Sequence, residues 1–241
     1  MKPERGEVFL ESFKRIEQHF RDVLKMDNGY PFRRLVEDMR GRGLITDSQS
    51  SELKAFASLR NALSHWSSDI GGAIADPRPS AVEALLELET SVTRPRRVDE
   101  LMNQEVTALS IDDTIGAFLR VVKEQDFSQA PLMNNGKYVG MVTLGALARW
   151  VAANIHFDRF DLLDTSISEV WSTAMQAEDQ FHECVPTVTV PEALNMFDID
   201  KEQPARGLIL VQRGARDSIR ALITYEDLPL LMAHAGAVRL K

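Results

Sequence analysis

The chain has 241 residues, of which 44% are hydrophobic and 27% are charged, and its formal net charge is -8. These values are typical of a folded globular protein and exclude collagen, a disulfide scaffold and wholesale disorder. No apolar stretch approaches the roughly 20 residues needed to span a bilayer, and no secretion signal opens the chain. The single cysteine, Cys184, offers neither an internal disulfide nor a thiolate metal site. We therefore expect a cytoplasmic protein that does not enter a membrane.

Charge is unevenly distributed along the chain. Residues 1–97 contain 16 basic and 15 acidic side chains, whereas residues 98–241 contain 12 basic and 21 acidic ones. Such a change supports a domain boundary near residues 94–97, and the length of the chain fits two domains. Chance variation in composition is the alternative. The nearly neutral first part remains free to meet an anion.

The first part of the chain has the periodicity of helices. Apolar residues recur three and four positions apart in successive segments, which predicts four helices joined by short links over residues 1–97. The apolar positions are Phe9, Phe13, Ile16, Phe20 and Leu24, then Leu35, Val36 and Met39, then Leu53, Phe56, Leu59, Leu63 and Trp66, then Val82, Leu85, Leu86 and Leu88. Asp47 or Ser48 is the candidate N-cap of the third helix, and Ser80 is that of the fourth.

The second part of the chain changes to short β-rich runs separated by helical segments, which predicts a mixed α/β region. The runs are 107–111, 138–143, 187–190, 207–211 and 220–224. The pattern repeats, because the segment 111–118 recurs 79 residues later as 190–197. Each copy continues with a strand, a polar hairpin, and a strand that ends in Thr143 or Thr224 and opens a helix.

The most specific part of this repeat is Ala221-Leu222-Ile223-Thr224-Tyr225-Glu226-Asp227-Leu228, a strand followed by Thr, two residues and Asp at a helix start. This segment and the repeat around it resemble a tandem pair of CBS domains. The resemblance covers repeat 1 at about 98–155 and repeat 2 at about 165–241, and the first copy has Ala146 where the Asp is expected. The fold class it implies is α+β: an N-terminal all-α helical bundle at 1–97, then two β-α-β-β-α repeats at 98–241.

The chemistry of the second strand-to-helix turn suits a nucleotide. Backbone N–H groups and the helix dipole favour a phosphate there, the Thr224 hydroxyl adds a donor, and the Asp227 carboxylate can accept from adjacent ribose hydroxyls. The resemblance implies an adenosyl ligand, with AMP, ADP, ATP and S-adenosylmethionine all open, and no required cofactor or metal. The flanking residues that it implies are Thr187, Val188 and Arg206. Arg206 or Arg220 is the candidate phosphate contact.

An alternative for Asp227 is that it only caps the helix together with Thr224, since both residue types are common N-caps. The other turn lacks a ribose carboxylate because Ala146 stands in the place of Asp. We therefore expect at most one adenosyl site per chain.

The third predicted helix contains Leu59-Arg60-Asn61-Ala62-Leu63-Ser64-His65. This segment resembles the R-x(4–6)-H motif of HEPN domains, and the resemblance covers about residues 7–93. It implies metal-independent RNA cleavage at a site made by two subunits. His65 would move a proton, Arg60 would stabilise the developing charge on the phosphate, and Asn61 would orient both. Such an enzyme should gather Arg33, Arg34, Arg40 and Arg42 near the cleft as phosphate contacts. The alternative for these four arginines is a solvated helix face.

Two functions are consistent with these patterns. The first is an adenosyl-nucleotide-sensing regulatory protein that works as a homodimer, in which a non-catalytic CBS pair binds ligand and controls a helical dimerisation or output domain. The alternative is a nucleotide-regulated, metal-independent HEPN ribonuclease that binds RNA and uses Arg60, Asn61 and His65. The same three residues are also consistent with a structural polar patch at a dimer interface, or with a solvated helix end.

Overall fold

The structure is a computed structural model that describes residues 5–65, 76–102, 106–154, 161–176, 181–198 and 204–235, without the side chains of Ser64 and His65. It is a mixed helical and stranded fold. The helices are α1 Arg5–Leu24, α2 Phe32–Gly41, α3 Asp47–His65, α4 Pro79–Thr93, α5 Val98–Leu101, α6 Ile115–Gln125, α7 Leu144–Asn154, α8 Ile167–Ala174, α9 Val190–Met196 and α10 Leu228–His234. The strands are β1 Leu109–Ser110, β2 Gln129–Asn134, β3 Lys137–Thr143, β4 His182–Cys184, β5 Leu208–Gln212 and β6 Ser218–Ile223.

The chain forms two compact units. One unit contains Met1–Val98, Thr189–Met196 and Leu228–Lys241, and the other contains Asp99–Val188 and Phe197–Asp227. The first unit therefore takes in two helices, α9 and α10, from the second repeat. The predicted boundary between residues 97 and 98 stays a prediction.

The four helices predicted at the N-terminus are present, and their apolar faces form one core. The largest buried side chains of α1 are Phe9, Phe13, Ile16 and Phe20, each at most 2% exposed. They pack with Leu35, Leu53, Leu85 and Leu88 of the other three helices. Complete burial stabilises the fold by about 1.5–3 kcal/mol for each such side chain. The apolar periodicity predicted this core, except that Leu86 is 36% exposed, and Trp66 lies outside the described residues.

The predicted N-caps of α3 and α4 are wrong. Thr46 caps α3, because its hydroxyl accepts from the Gln49 N–H at 3.2 Å while the Gln49 side chain accepts from the Thr46 N–H at 2.8 Å. This reciprocal pair is a capping box, and it leaves the predicted cap, Asp47 or Ser48, inside the helix. At α4, Arg78 is the N-cap residue and Pro79 takes the first helical position. Pro79 suits that position because it has no N–H to satisfy, so Ser80 is already helical.

The two repeats form two three-stranded sheets of the same topology. In the first, β1 runs parallel to β2, and β2 runs antiparallel to β3; β4, β5 and β6 repeat this order and these directions. Each antiparallel pair shifts register at one place, after Leu132 in the first sheet and after Leu210 in the second. Because the shift falls at the same place in both sheets, each residue of one repeat can be matched to a residue of the other.

The strand predicted at residues 187–190 is wrong. The strand of this region is β4, which ends at Cys184, and Val190 is the first residue of α9. Thr189 caps that helix, since its hydroxyl accepts from the Glu192 N–H at 3.5 Å, while its own N–H and hydroxyl donate to the Glu192 carboxylate at 2.8 and 2.7 Å. This capping box overrides the β propensity of the run from Thr187 to Val190.

A short helix precedes the first strand of each repeat. The residue just before that helix forms a β-bridge with the other repeat. Arg97, just before α5, bridges Thr189 at the start of α9, and Ser166, just before α8, bridges Thr114 at the start of α6. The two bridges therefore occupy equivalent places. Helix α8 lies in the stretch 154–184, where the sequence repeat is poorly visible, and it marks the beginning of the second repeat.

Within the first unit, α9 and α10 are attached to the N-terminal helices by close contacts. Gly43, after α2, has a φ of +72°, and a Cβ placed on it would lie 2.0 Å from the Asn195 amide nitrogen of α9. The fully buried Gln49 side chain donates to the Ala235 carbonyl at the end of α10, at 2.9 Å, and to the Ser91 hydroxyl, at 3.2 Å. These contacts attach the two helices to the N-terminal helices within the first unit.

Candidate ligand-binding site

A cavity of about 630 Å³ lies within the second unit, and both repeats contribute to its walls. This volume is in the range of small-molecule sites. The lining residues from the first repeat are Val106, Thr107, Asp126, Phe127, Ser128, Gln129, Pro131, Thr143, Leu144 and Gly145. Those from the second repeat are Phe181, Arg206, Leu222, Thr224, Tyr225, Glu226 and Asp227.

The walls are built from equivalent positions of the two repeats. Counted from the paired strand residues, Val106 corresponds to Phe181 and Ser128 corresponds to Arg206. The third strand of each repeat ends at the cavity in a threonine, Thr143 or Thr224, and the residues after it also line the wall. The equivalent side chains differ in chemistry: the second repeat supplies the larger, aromatic or charged member of each pair.

Thr224 and Asp227 form the turn that opens the last helix of the second repeat. The Asp227 carboxylate accepts through Oδ2 from the Thr224 N–H at 2.8 Å and from the Thr224 hydroxyl at 3.3 Å. This is the capping arrangement that the sequence left open. Oδ1 of the same carboxylate makes none of the hydrogen bonds identified among the described residues. One oxygen of Asp227 thus holds the turn, and the residue is also among those that line the cavity.

The first repeat has no equivalent acceptor. Ala146 is fully buried, and its N–H donates to the Thr143 hydroxyl at 3.0 Å. Thr143 therefore caps α7, and no carboxylate follows it where Asp227 follows Thr224. The two halves of the cavity are unequal for this reason.

Two aromatic rings line the second-repeat half of the cavity. Gly207 makes room for Phe181, because a Cβ at residue 207 would lie 2.3 Å from the Phe181 ring. Tyr225 is 44% exposed and packs edge-on against Phe197, with ring centroids 5.3 Å apart. Rings held this way offer flat apolar faces of the kind on which a nucleobase stacks.

The predicted ligand-binding residues divide into two groups. Arg206, Thr224 and Asp227 line the cavity, whereas Thr187 and Val188 are not among its lining residues. Those two lie on the turn between β4 and α9, since the strand expected there is absent. Their role in binding stays a prediction. The other candidate phosphate contact, Arg220, donates to the Gln212 side chain at 2.9 Å and is not among the lining residues either.

Sequence reasoning missed Phe181, Tyr225 and Glu226 in the second-repeat half of the cavity. Tyr225 and Glu226 lie within the strand-to-helix segment already singled out, so their position was readable. Phe181 was not, because its place depends on a strand that begins at His182 rather than at Thr187.

Arg60 of the predicted ribonuclease motif contacts other residues of the N-terminal helices. Its guanidinium lies 3.8 Å from the Glu17 carboxylate, 5.7 Å from the Phe13 ring centroid and 3.2 Å from the Asn61 side-chain oxygen. The side chain of His65 lies outside the described part of the structure. These contacts place Arg60 beside α1, and its role stays a prediction.

A second cavity, of about 530 Å³, lies beside Arg60. Lys14 and Arg21 are also on its walls, but Arg21 is only 7% exposed and donates to the Glu17 side chain at 2.5 Å. The predicted phosphate contacts, Arg33, Arg34, Arg40 and Arg42, are not among the residues that line this cavity. Arg40 instead pairs with Asp47 at 3.1 Å.

Comparison with known proteins identifies a domain in this region. Residues 98–153 match the family model of the CBS domain, so a CBS domain is present there. CBS-domain proteins are commonly regulatory and bind adenosyl ligands. No curated protein matches the chain. The identification of the second repeat as another CBS domain, and of the N-terminal helices as HEPN-like, stays a prediction.

Several solved structures resemble part of the chain. A CBS-domain protein from Agrobacterium tumefaciens has 16% identity and a TM-score of 0.41, covering 56% of this chain and 92% of that one. A CBS domain from a membrane protein of Sphaerobacter thermophilus has 18% identity and a TM-score of 0.41, covering 57% and 88%. CbpB, solved in complex with c-di-AMP, has 13% identity and a TM-score of 0.46, covering 64% and 93%.

The described residues contain neither a metal-binding cluster nor a membrane-spanning helix. No group of three or more His, Cys, Asp or Glu side chains there is arranged to hold a metal ion. Among the helices that are described, none has the length and apolar character needed to cross a bilayer.

Proposed function

We propose that this protein is a regulatory sensor in which the cavity of the two repeats binds one adenosine-containing small molecule and thereby controls the N-terminal helices. The observation that carries the proposal is the cavity itself, with an aromatic ring, an arginine and a carboxylate on its second-repeat half. An adenosyl compound presents a flat base, a pair of ribose hydroxyls and, in nucleotides, a phosphate. Each of these has a matching group on that wall.

The ribose is assigned to Asp227. Its Oδ1 has two lone-pair positions and can accept from ribose hydroxyls, while Oδ2 keeps the turn closed through its two hydrogen bonds from Thr224. The base is assigned to the apolar surface around Phe181 and Tyr225. The half that carries Ala146 has no such carboxylate, which supports one ligand per chain.

Control of the helices is supported by the course of the chain after Asp227. The next residue, Leu228, begins α10, which belongs to the same compact unit as the N-terminal bundle. The end of α10 is bonded to Gln49 in the core of that bundle. A ligand that changes the turn at Asp227 therefore acts on a helix whose far end is part of the bundle, and it biases the bundle if it prefers one arrangement.

Calorimetry with Asp227→Asn and Asp227→Ala tests the ligand assignment. Asparagine keeps one oxygen to accept from the Thr224 N–H but loses the second acceptor. We therefore expect the binding free energy for AMP to weaken by about 1–3 kcal/mol, with little loss of folding stability. Alanine should lose both affinity and about 1 kcal/mol of stability, because the cap is removed. Asp112→Asn, a change at an exposed carboxylate away from the lining, is the control. Unchanged affinity in both Asp227 variants would contradict the proposal.

Hydrogen exchange with and without bound ligand tests the control of the helices. We expect slower exchange of amides in α3 and α4 when the cavity is filled, and we expect Gln49→Met to weaken that response without changing affinity. Light scattering in the same samples reports whether the protein is the homodimer that we propose. Exchange rates in α3 and α4 that do not change when ligand binds would mean that the cavity binds ligand without controlling the helices.

The ribonuclease remains the second candidate. The observation in its favour is that Arg60 lines the second cavity and donates to the adjacent Asn61 side chain. In that function RNA would bind at the motif and His65 would transfer the proton. The Glu17 carboxylate, 3.8 Å from the Arg60 guanidinium, favours the regulatory role instead, since it puts a negative charge beside the group that would meet a phosphate.

A further inference from the structure

A third cavity, of about 370 Å³, lies entirely within the first unit. It is formed where the end of α4 and the segment after it meet the beginning of α9 and the end of α10. None of its described lining residues also lines the cavity of the two repeats. Its volume is in the range of small-molecule sites, so the first unit contains a candidate site of its own.

Two arginines that line this cavity belong to a short segment whose backbone is fixed at both ends. The Arg94 N–H donates to the Thr90 carbonyl at 3.0 Å. The Arg96 carbonyl accepts from the Val190 N–H at 2.9 Å. Between the two arginines, Pro95 restricts its own φ to about -65°. Because the backbone beneath both side chains is already ordered, less conformational freedom is lost when they hold a ligand together.

The two guanidinium groups reach the cavity from the solvent-facing side of this segment. Both Arg94 and Arg96 are exposed, and both are among the lining residues. No ion pair identified among the described residues engages either side chain. Each guanidinium can therefore present its fork of N–H donors to a ligand.

The end of α10 supplies a third nitrogen donor. His234 lines the cavity, and its Nδ1 lies 2.9 Å from the Leu230 carbonyl oxygen. Since a carbonyl can only accept, Nδ1 carries a proton, and Nε2 is the ring nitrogen that remains for a ligand. In the imidazolium form Nε2 donates as well. Donors from two separate parts of the chain thus converge on one cavity.

A phosphate monoester is the group that this set of donors matches. It has three terminal oxygens in a tetrahedral arrangement, so it can accept from two guanidinium forks and an imidazole at the same time. A carboxylate has two oxygens in one plane and is already matched by a single guanidinium. Apolar lining from Pro95, Pro191 and Ala233 offers surface to a small organic body attached to the phosphate.

Negative charge is also present at this cavity. Glu87 is the acidic side chain among the described lining residues, and the C-terminal ends of α4 and α10 add partial negative charge. These groups oppose an anion, so recognition depends on the paired hydrogen bonds of the guanidinium forks more than on overall charge. Experiment can separate the two contributions, because lysine keeps the charge of arginine but not its fork.

We propose that this cavity is a second ligand site, in which Arg94 and Arg96 bind the phosphate of a small monoester and His234 contacts its third oxygen. A bound phosphate ties the segment after α4 to the end of α10, because the arginines belong to the first and the histidine to the second. The inference goes beyond the proposed function and does not require an adenosyl compound in the cavity of the two repeats.

Calorimetry of the full chain with glycerol 3-phosphate and with inorganic phosphate, at constant ionic strength, tests the proposal. We expect the wild type to bind both probes. Arg94→Gln and Arg96→Gln should each weaken binding about tenfold or more, the scale of a charged hydrogen-bond pair. Arg94→Lys and Arg96→Lys should recover only part of that loss. Glu87→Gln should strengthen binding, because it removes a carboxylate that repels the anion.

Arg78→Gln is the matched control, because Arg78 is an exposed arginine at the other end of α4 and is not among the lining residues. We expect it to bind both probes as the wild type does. Asp227→Asn should also leave their binding unchanged, since Asp227 lines the other cavity. Circular dichroism checks that every variant is folded.

Four results would overturn the proposal. The first is a wild type that binds neither probe at millimolar concentration, and the second is unchanged affinity in both Arg94→Gln and Arg96→Gln. The third is equal weakening in Arg78→Gln or in Asp227→Asn, which would mean a general effect of charge or binding in the other cavity. The fourth is loss of binding in Glu87→Gln, which would mean that the cavity recognises a cationic group.

Discussion

The Asp217 carboxylate, at the end of the β5–β6 hairpin, accepts a hydrogen bond from the Tyr138 N–H of the other repeat at 3.1 Å. Its side chain is fully buried and also pairs with Arg213 and, at 3.3 Å, with Lys137. Burial opposes its ionisation, but the hydrogen bonds from Arg213, the Gly214 and Tyr138 N–H groups and Lys137 outweigh burial and lower the pKa of Asp217 to about 2. The two hairpins are joined through one ionised carboxylate.

The stability that Asp217 contributes should depend on pH in a defined direction. Because its pKa is lowered by folding from 3.8 to about 2, the contribution is complete above pH 3.8 and is lost as the pH falls through about 2. Asp217→Asn should therefore melt at a lower temperature than the wild type near neutral pH, and the difference should narrow below pH 3.8. Asp112→Asn is the control for general acid effects. A difference that stays constant down to the lowest measurable pH would show that the charge of Asp217 is unimportant.

Burial also raises the pKa of the Tyr138 hydroxyl to about 12, with the nearby Glu183 carboxylate acting in the same direction. Because the pKa of Tyr138 is about 12 in the folded protein and its ordinary value is 10, the stability contributed by the neutral ring is complete below pH 10 and is lost as the pH rises through about 12. The hydrogen bond to Asp38 also raises the pKa of Tyr30. We therefore expect the ultraviolet absorbance of tyrosinate to show late-titrating groups in the native protein and none after denaturation. Tyr138→Phe should reduce the amplitude of the late step, and an unchanged amplitude would assign that step to another tyrosine.

Replacement of Gly43 by alanine should destabilise the first unit. The positive φ of residue 43 strains any residue with a Cβ, by about 1–3 kcal/mol, and the added atom would also overlap Asn195. Gly41→Ala is a matched control two residues away, where a Cβ would have no neighbour within 4 Å. That change should be neutral or stabilising by up to about 1 kcal/mol, because alanine favours the helix. Urea unfolding of both variants measures the difference, and equal stability would mean that α9 does not pack on Gly43.

Gln49→Met should destabilise the same unit through lost hydrogen bonds rather than lost volume. The change leaves the Thr46 N–H and the Ala235 carbonyl without their partner in a buried position, which we expect to reduce the free energy of unfolding by about 2–4 kcal/mol. Gln18→Met is the same substitution on the exposed face of α1, and we expect it to change stability by less than about 0.5 kcal/mol. Comparable unfolding curves for the two variants would contradict the role given to Gln49.

An RNA cleavage assay in EDTA decides between the two candidate functions. For the regulatory protein we expect the wild type to cleave no faster than His65→Ala or Arg60→Ala, with or without AMP. His65→Ala should fold as the wild type does, which circular dichroism would check. Cleavage that disappears in His65→Ala without loss of folding would establish the ribonuclease.

Much of the fold was readable from the sequence. The spacing of apolar residues such as Phe9, Phe13 and Phe20 predicted the helical core, because an amphipathic helix must bury one face whatever it packs against. The repeat of strand, hairpin, strand and threonine predicted the two equivalent sheets. Thr224 and Asp227 were found for the same reason: their chemistry lies within one turn of chain and depends on no distant partner.

The tertiary structure decided what distant parts of the chain bring together. Phe181 and Arg206 line the same cavity. A helix cap stands where a strand was expected at residues 187–190. Helices α9 and α10 belong to the same compact unit as the N-terminal helices. Local propensity could not reveal these relationships, because each depends on contacts between residues far apart in sequence. The sequence alone determined the elements and the chemistry of one turn; packing determined which side chains share the cavity and to which unit the last helix belongs.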